Sequence, residues 1–490
     1  MTHNLSEPDN GERDPFVQSS AALLQPPERS AAYSLNVLLG IGVLGALLIS
    51  IWVFGGFTPN RQTQLLSSPR GFDFRLFSTM SLLFQGKMIA LISIAFGAGM
   101  ILFLQKPNVP GKPTRADLFI RRQFWLIVLG VLNGIIFLWS EDILFHLGVM
   151  GILLFVFFRL SKRVLLVASL FTALIFSAKH FWNYSDDKGA RKKYLAVLGV
   201  EKRIKQDSIA RAAKKDTINN AKAVVKTDTL TKEQKKDKQA WEGIVKSMKY
   251  DAKKDEGSIK AMRKHNFEKV YDHLLPITQT REAQWTYRMG IWDLASMMFL
   301  GMALVGYGFF SSRLSSAKYF MIAIAAITVG LLLGWYRFYF QIEAIRDYEK
   351  YVIRHAMPYN MFFPFEQAFM ALGYASGVMG IIRAGILKWL LKAFSSVGKL
   401  FITNYLLQSI FCTLFFTGVG MGYFARLHQF QLYLIVLEIW VVQVVCSVLW
   451  LRWFDEGPVE WLWRCLTYGK MLPVRRSGKS TPTLTSPIAS

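Results

Sequence analysis

The chain has 490 residues, of which 52% are apolar and 14% aromatic, and its formal net charge is +25. Ordinary soluble domains are less apolar, and here the charges are crowded between apolar runs of about 20 residues, the length of a membrane-spanning helix. The composition therefore predicts a polytopic membrane protein. It predicts no nucleic-acid partner, because short loops and contact with anionic membrane lipids account for the positive charge.

The sequence contains none of the common metal or nucleotide motifs. Cys412, Cys446 and Cys465 have no CxxC spacing and stand mostly in apolar surroundings, so they are interpreted as packing residues. Walker and H-E-x-x-H patterns are missing. Gly97 and Gly99 are typical of close helix packing and not of a phosphate loop. We expect no metal, and no cofactor other than a diffusible donor.

The chain begins with a polar, net acidic segment, residues 1–32, that is typical of a disordered cytoplasmic tail. Only helices and closed barrels satisfy backbone groups in lipid, so the long apolar runs that follow predict an all-α transmembrane bundle of about ten spans. Five fall in residues 33–183 and five in residues 289–452. The ten runs are near residues 34–57, 86–104, 123–139, 142–160, 163–182, 290–310, 318–340, 362–382, 398–418 and 430–451.

A charged segment, residues 184–288, separates the two groups of spans and holds 26 Lys and Arg against 15 Asp and Glu. Its Ala, Lys and Glu content with few Gly or Pro favours helix. We expect a solvated helical insertion of one or two hairpins that extends spans five and six. The alternatives are disorder in residues 214–240 and a domain that binds an anionic envelope polymer.

Lys and Arg in short loops predict the orientation, because such loops stay in the cytoplasm. The loops after the second, fourth and eighth spans are basic, whereas the loop after the third carries Glu141 and Asp142. Both termini are therefore predicted to be cytoplasmic and residues 184–288 extracytoplasmic. Residues 453–490, which begin with a Trp- and Arg-rich stretch, are predicted to form an interfacial helix and a cytoplasmic tail.

Asp142 and His146 stand four residues apart at the start of the predicted fourth span, which places both on one helix face. A carboxylate that orients an imidazole is the usual arrangement of a general base. Alternatively, Asp142 caps the helix and His146 packs in the core. Lys87, at the start of the second span, either snorkels to the interface or pairs with Asp142 or Glu366.

Further polar residues fall inside predicted spans, where they either line a hydrophilic cavity or hold helices together by hydrogen bonds. The candidates for substrate binding among them are Asn133, Glu366, Asn404 and Gln408. Arg452, Trp461 and Arg464 follow the last span. They form either part of an interfacial helix or a basic aromatic lip for a nucleotide-bearing donor such as acyl-CoA.

Four stretches carry a family resemblance. They are QGKMIALISIAFGAGM at residues 85–100, RRQFWLIVLGVLNG followed by WSEDILF within residues 121–145, GKLFITNYLLQS at residues 398–409 and LWLRWFDEGPVEWLWRCLTYG at residues 449–469. They resemble the YeiB-like family of bacterial membrane proteins, whose C-terminal half is known as domain of unknown function 418. Asn36, Leu39 and Asn133 depart from the family pattern, in which an acidic residue, a basic residue and a histidine are usual.

The resemblance implies a multi-pass protein of the bacterial inner membrane, distantly related to transmembrane acyltransferases. An acyl group would then pass from a cytoplasmic thioester such as acyl-CoA to an envelope glycan or lipid. His146 is assigned as general base, Asp142 as the group that orients it, and Lys87 as the cation that stabilises the oxyanion. A transporter or export component and an envelope scaffold are the non-catalytic alternatives.

Overall fold

The computed structural model describes residues 26–108, 110–215 and 229–473, and all regular elements in these ranges are helices. The predicted all-α class is confirmed. Most of the tail predicted for residues 1–32 lies outside the described residues, but its last seven residues belong to the first helix, which begins at Pro26. Residues 216–228 and 474–490 also lie outside the described part.

The helices follow one another in three groups. The first group is α1 (Pro26–Phe54), α2 (Pro59–Ser67), α3 (Gly71–Phe84), α4 (Lys87–Leu104), α5 (Arg115–Ile135), α6 (Leu144–Leu154) and α7 (Lys162–Lys215). The second is α8 (Lys232–Ser247), α9 (Ala252–Met262), α10 (Phe267–Gln279) and a π-helix (Thr280–Gly290). The third is α11 (Ile291–Gly306), α12 (Ser316–Arg346), α13 (Tyr348–Arg354), α14 (Phe363–Ala384), α15 (Lys388–Lys399), α16 (Phe401–Phe416), α17 (Gln429–Trp453) and α18 (Pro458–Tyr468).

Seven helical stretches among the described residues are long and apolar enough to cross a membrane. The pair α15 and α16, bent by 77°, adds an eighth if it is one span. The two other expected spans fall on Leu144–Phe157, a shorter apolar helix, and on α14, which is not among the seven stretches. The length and apolar composition of these helices indicate a membrane protein. The count of ten spans stays a prediction.

Helix α1 runs through the centre of the bundle, in contact with α4, α15, α16 and α17. Its side chains Val37, Leu38 and Val43 are fully buried, which explains why the helix is apolar around its whole circumference. The approach to α15 is very close. A Cβ atom at Gly398 would lie 1.8 Å from the backbone oxygen of Asn36, so this crossing depends on glycine.

The charged segment consists of helices joined by short loops where it is described, and it packs back onto the bundle. Helix α7 continues unbroken past the domain boundary expected at residue 184, and its 54 residues measure about 81 Å. Trp241 of α8 is buried against Tyr348 of α13. Arg61 of α2 is paired with Asp255 of α9, with an Nε to Oδ2 distance of 2.9 Å. We call α8, α9 and α10 the cap.

Candidate functional site

A cavity of about 500 Å³ lies between α1, α4, α5, α18 and the break between α15 and α16. Five basic side chains line it: Lys106, Arg115, Arg122, Lys399 and Arg464. Apolar side chains line the rest, among them Leu35, Leu39, Phe96, Met100 and Leu126. Its lining residues on α5 run from Arg115 to Leu126, about 16 Å along the helix. The cavity is therefore cationic at one end and apolar at the other.

Aromatic rings hold the cationic end together. The guanidinium carbon of Arg122 lies 4.2 Å from the ring centre of Trp463 and 4.9 Å from that of Phe103. The indole nitrogen of Trp463 donates to the backbone oxygen of Arg122 at 2.8 Å. Cation–π contacts of this kind keep an arginine in place while its N–H groups stay able to donate. Helix α18 is thereby fixed against α5.

Two carboxylates balance part of this charge. Glu456 pairs with Arg464, with an Oε1 to Nη1 distance of 2.8 Å. Glu460 accepts hydrogen bonds from the backbone N–H and the hydroxyl of Thr403, at 2.9 and 2.5 Å. Burial raises the pKa of both carboxyl groups above the ordinary value for glutamate. As pH falls these groups become neutral, so the net positive charge of the cavity increases.

Gln123 provides the cavity wall with an unused acceptor. The residue is only 2% exposed, and its Oε1 has no hydrogen-bond partner among the described residues. A Cβ atom at Gly151 of α6 would lie 2.5 Å from that oxygen. Buried polar atoms without a partner are uncommon in proteins. The oxygen packs against α6, whose residues do not line the cavity, so it remains an unpaired acceptor directly behind the cavity wall.

The C-terminal candidates divide into one that lines the cavity and two that do not. Arg464 lines it, as expected. Trp461 instead donates to the backbone oxygen of Leu472 at 2.7 Å, and Arg452 is exposed. Arg122 and Trp463 were not selected from the sequence. In the sequence Arg122 belongs to a predicted basic loop that indicates only the orientation, and Trp463 belongs to the stretch interpreted as an interfacial helix or a donor-binding lip. No local pattern indicates that the two residues meet.

His146 is buried, but Asp142 does not orient it through its carboxylate as expected. The imidazole Nδ1 lies 2.7 Å from the backbone oxygen of Asp142. The carboxylate accepts from the Asn133 amide and from the backbone N–H of Phe145, both at 2.7 Å, so it caps α6. In the neutral imidazole Nδ1 must donate to the carbonyl, which leaves a lone pair on Nε2. This Nε2 is buried and has no partner among the described residues.

The π-helix completes the surroundings of His146. Its Trp285 ring lies 5.6 Å from the imidazole, centre to centre, and the Arg281 guanidinium stacks 3.6 Å from the Trp285 ring centre. Glu282 approaches α5, where its Oε1 lies 3.0 Å from the position of a Cβ atom on Gly134. The sequence placed all three residues in the charged segment and gave no signal for their contacts. Among the described residues, no cluster of His, Cys, Asp and Glu could hold a metal ion.

Glu366 engages the ammonium group of Lys87. Lys87 Nζ pairs with Glu366 Oε1 and also donates to the backbone oxygen of Ser81 at 3.1 Å. The other carboxylate oxygen of Glu366 accepts from Nε of Arg337 at 2.6 Å. Of the partners expected for Lys87, Glu366 is the one observed. With its ammonium group held in this pair, Lys87 is not available to stabilise an oxyanion, and neither Lys87 nor Glu366 lines the cavity.

Asn404 and Gln408 hold α16 against its neighbours. The Asn404 amide donates to the Ser447 hydroxyl at 3.0 Å, and the Gln408 amide donates to Oε1 of Gln443 at 2.9 Å. Gln443 in turn donates to the backbone oxygen of Asn404 at 2.8 Å. Neither Asn404 nor Gln408 lines the cavity. These bonds agree with the packing alternative and not with a lined permeation path.

Comparison with known proteins shows which proteins this chain is similar to. Residues 304–470 match the family described as "Protein of unknown function (DUF418)". The chain is 26% identical to the uncharacterised protein YeiB of Escherichia coli K12, over 89% of this chain and 95% of YeiB. It is 24% identical to the uncharacterised protein YxaH of Bacillus subtilis 168, over 91% of this chain and 96% of YxaH. No solved structure matches. The resemblance to the YeiB-like family with its DUF418 domain is therefore confirmed, over about nine-tenths of the chain.

Proposed function

We propose that this protein transfers an acyl group across the bilayer, from a thioester donor bound in the cavity to an acceptor that is deprotonated by His146. The observation that carries the proposal is the bipolar cavity, which is cationic and aromatic at one end and apolar at the other. Acyl-CoA has the matching chemistry of phosphates, an aromatic base, amide N–H groups and an acyl end. Neither relative named above is described with an activity.

Each part of such a donor has a partner in the cavity. Arg122 and Arg464 suit the phosphates, because guanidinium groups bind phosphate through paired hydrogen bonds. The rings of Trp463 and Phe103 suit the aromatic base. Gln123 lines the cavity, and a rotation of its amide would let the unpaired Oε1 accept from an amide N–H of the pantetheine arm. The acyl group then lies among the apolar side chains at the inner end.

His146 is the candidate base because it is near the inner end and no side chain among the described residues pairs with its Nε2. Gly151, which touches Gln123, follows His146 by five residues on α6, or about 7.5 Å along the helix axis. Nε2 takes the proton of the acceptor hydroxyl or amine, whose oxygen or nitrogen attacks the thioester carbonyl carbon. The C–S bond breaks, and the thiolate takes up a proton as it leaves. His146 lies outside the cavity lining, so the thioester must reach beyond Gln123.

The proposal places the cavity on the cytoplasmic side of the bacterial inner membrane and the cap outside. The basic loop between α4 and α5 supports this orientation. The acceptor is then an envelope glycan or lipid, and the lipids around the bundle are its other partners. In the transport alternative Asn404, Gln408 and Glu366 would line a path, and their hydrogen bonds to other helices give it no support.

The test measures acetyl-CoA binding and turnover by the purified protein in lipid nanodiscs. A Cβ atom at Gly99 meets no atom within 4 Å and points into the cavity, so Gly99→Phe fills the cavity without disturbing packing. We expect Gly99→Phe to weaken binding at least about tenfold and Gly99→Ala to bind like the wild type. His146→Ala should bind donor normally but lose turnover. Equal binding by Gly99→Phe, or normal turnover by His146→Ala, would contradict the proposal.

A further inference from the structure

Four buried polar atoms without a hydrogen-bond partner gather around His146. They are Asn133 Oδ1, His146 Nε2, Arg281 Nε and Glu282 Oε1. Only eleven such side-chain atoms occur among the described residues, so four in one place is a concentration. Native proteins leave few buried polar groups unpaired, and those that remain call for a cause, such as a ligand. The unpaired polar atoms of these four residues therefore require an explanation.

The four atoms belong to one cluster built from three elements. Asn133 on α5 is bonded to Asp142, which precedes His146 by one helical turn. Glu282 reaches Gly134, the next residue on α5. Arg281 lies beside both His146 and Asp293. Helices α5 and α6 thus form one side of the cluster, and the first turns of the π-helix form the other side.

The π-helix is what brings Arg281, Glu282 and Trp285 over His146. Eleven consecutive residues in this conformation are unusual, because π-turns mostly occur singly and are frequent at functional sites. The opposite face of the same helix, with Tyr287 and Arg288, is exposed. A displacement of this segment would uncover His146 from the cap end of the bundle. The π-helix therefore lies between His146 and an acceptor that approaches from the cap end.

We propose that this cluster is the acceptor subsite and that it takes an uncharged, hydroxyl-rich group of the sugar type. The inference rests on the proposed function, whose acceptor class it narrows. The four atoms comprise one donor, on Arg281, and three acceptors. A sugar hydroxyl both donates and accepts, so neighbouring hydroxyls satisfy all four atoms, whereas a phosphate ester at neutral pH mainly accepts and an alkyl chain does neither.

The charges of the cluster support the same class. The carboxyl groups of Asp142, Glu282 and Asp293 surround a single guanidinium, that of Arg281, and the neutral imidazole of His146. A site with three carboxyl groups and one guanidinium offers no excess of cations to an anionic acceptor such as a phosphorylated lipid headgroup, whose burial without a counter-ion is costly. A neutral polyol meets no such penalty. The subsite therefore selects against lipid phosphates and in favour of glycan hydroxyls.

The first experiment measures binding of methyl β-D-glucopyranoside and of glucose 6-phosphate to the full chain in nanodiscs by saturation-transfer difference NMR. Nanodiscs without protein give the background. We expect saturation of the glucoside and at least about fivefold weaker binding of the phosphate. Equal or tighter binding of the phosphate, or no binding of the glucoside, overturns the inference.

The second experiment assigns the binding to the cluster. Glu282→Ala and Arg281→Met should each weaken glucoside binding about fivefold, because each removes a hydrogen-bond partner. Glu282→Gln keeps an acceptor oxygen and should bind more tightly than Glu282→Ala. Arg288→Met is the matched control, since Arg288 is exposed on the same π-helix, and its binding should not change. Binding of acetyl-CoA, which reports a folded donor cavity, should be equal in all four variants.

The outcomes separate this inference from the proposed function. Glucoside binding without any acyl transfer from acetyl-CoA would leave the subsite standing and refute the transfer reaction. Acyl transfer with the same KM for the glucoside in wild type, Glu282→Ala and Arg281→Met would leave the reaction standing and refute the subsite. A raised KM in these two variants, but not in Arg288→Met, is the result that we expect.

Discussion

Glu366 lies between two cations in the interior of the bundle, Lys87 of α4 and Arg337 of α12. Lys87 and Glu366 are 0% exposed and Arg337 is 5% exposed. Burying ions is costly, and their mutual attraction repays the cost only where the geometry is good and each charge has a partner. One carboxylate here serves two cations, so the three side chains join α4, α12 and α14 at a single point. We call them the Lys87–Glu366–Arg337 triad.

Removing the shared partner of this triad should be far more damaging than removing one cation. Glu366→Gln leaves two buried cations without a counter-ion, and we expect a loss of about 3–5 kcal/mol in stability. Lys87→Met leaves Arg337 and Glu366 as an ion pair without net charge, and we expect a much smaller loss of stability. Thermal unfolding of the detergent-solubilised variants measures the difference. A lower melting temperature for Lys87→Met than for Glu366→Gln would show that Glu366 is not the common counter-ion.

Helix α4 carries two glycines on different faces, and a larger side chain would fit at only one of them. A Cβ atom at Gly97 would lie 2.2 Å from the backbone oxygen of Met298 on α11. The contact is reciprocal, since a Cβ atom at Gly301 of α11 would lie 2.0 Å from the backbone oxygen of Ile94. Gly99 faces the cavity instead. The sequence predicts close helix packing at both glycines, and the structure shows it only at Gly97.

We predict that Gly97→Ala destabilises the protein by about 1–3 kcal/mol, because backbone atoms of α11 would have to move. Gly99→Ala meets open space and should be neutral or stabilising by up to about 1 kcal/mol, because alanine is the better helix former. The two variants make the same chemical change two residues apart on one helix. Their melting temperatures in detergent provide the comparison. If Gly97→Ala melts no lower than Gly99→Ala, the close contact between α4 and α11 is not present in solution.

At the scale of the whole molecule, the cavity and the cap lie at opposite ends of the bundle. Helix α5 connects the two ends, since Arg115 at its start lines the cavity and Leu138, just after its end, packs against the cap. Its 21 residues measure about 31 Å, close to the thickness of the hydrocarbon core of a bilayer. A donor and an acceptor that enter from these ends would therefore meet inside the membrane.

The predicted sidedness is testable with single cysteines in a variant that lacks Cys412, Cys446 and Cys465. Ser247→Cys on the cap and Ser161→Cys in the loop before α7 both replace exposed residues. A membrane-impermeant maleimide should label position 247 in intact cells and position 161 only after the membrane is permeabilised. Labelling of both positions from the same side would remove the separation of donor and acceptor on which the proposed reaction depends.

Local patterns were sufficient for the class of the protein and for part of its site. The apolar runs predicted helices long enough for a bilayer, because transfer of such side chains into lipid depends on residue type and length alone. The four-residue spacing of Asp142 and His146 predicts one shared helix face, but α6 begins at Leu144, so Asp142 lies before the helix and accepts from the backbone N–H of Phe145. The observed helix ends differ from the predicted ones by several residues, and α7 continues past the expected domain boundary. The reason is that a helix can continue into polar sequence beyond its apolar run.

Contacts between distant segments decided the rest. The sequence offered two partners for Lys87, and only the packing of α4 against α14 selected Glu366, 279 residues away. Arg122 and Trp463 are 341 residues apart, and the cavity exists because α18 folds back onto α5. The sequence by itself determined which segments are apolar, which are charged and which are helical, since these properties are local. Only the tertiary structure determined which polar groups are paired and which remain free, because this depends on the helix face that each neighbour covers.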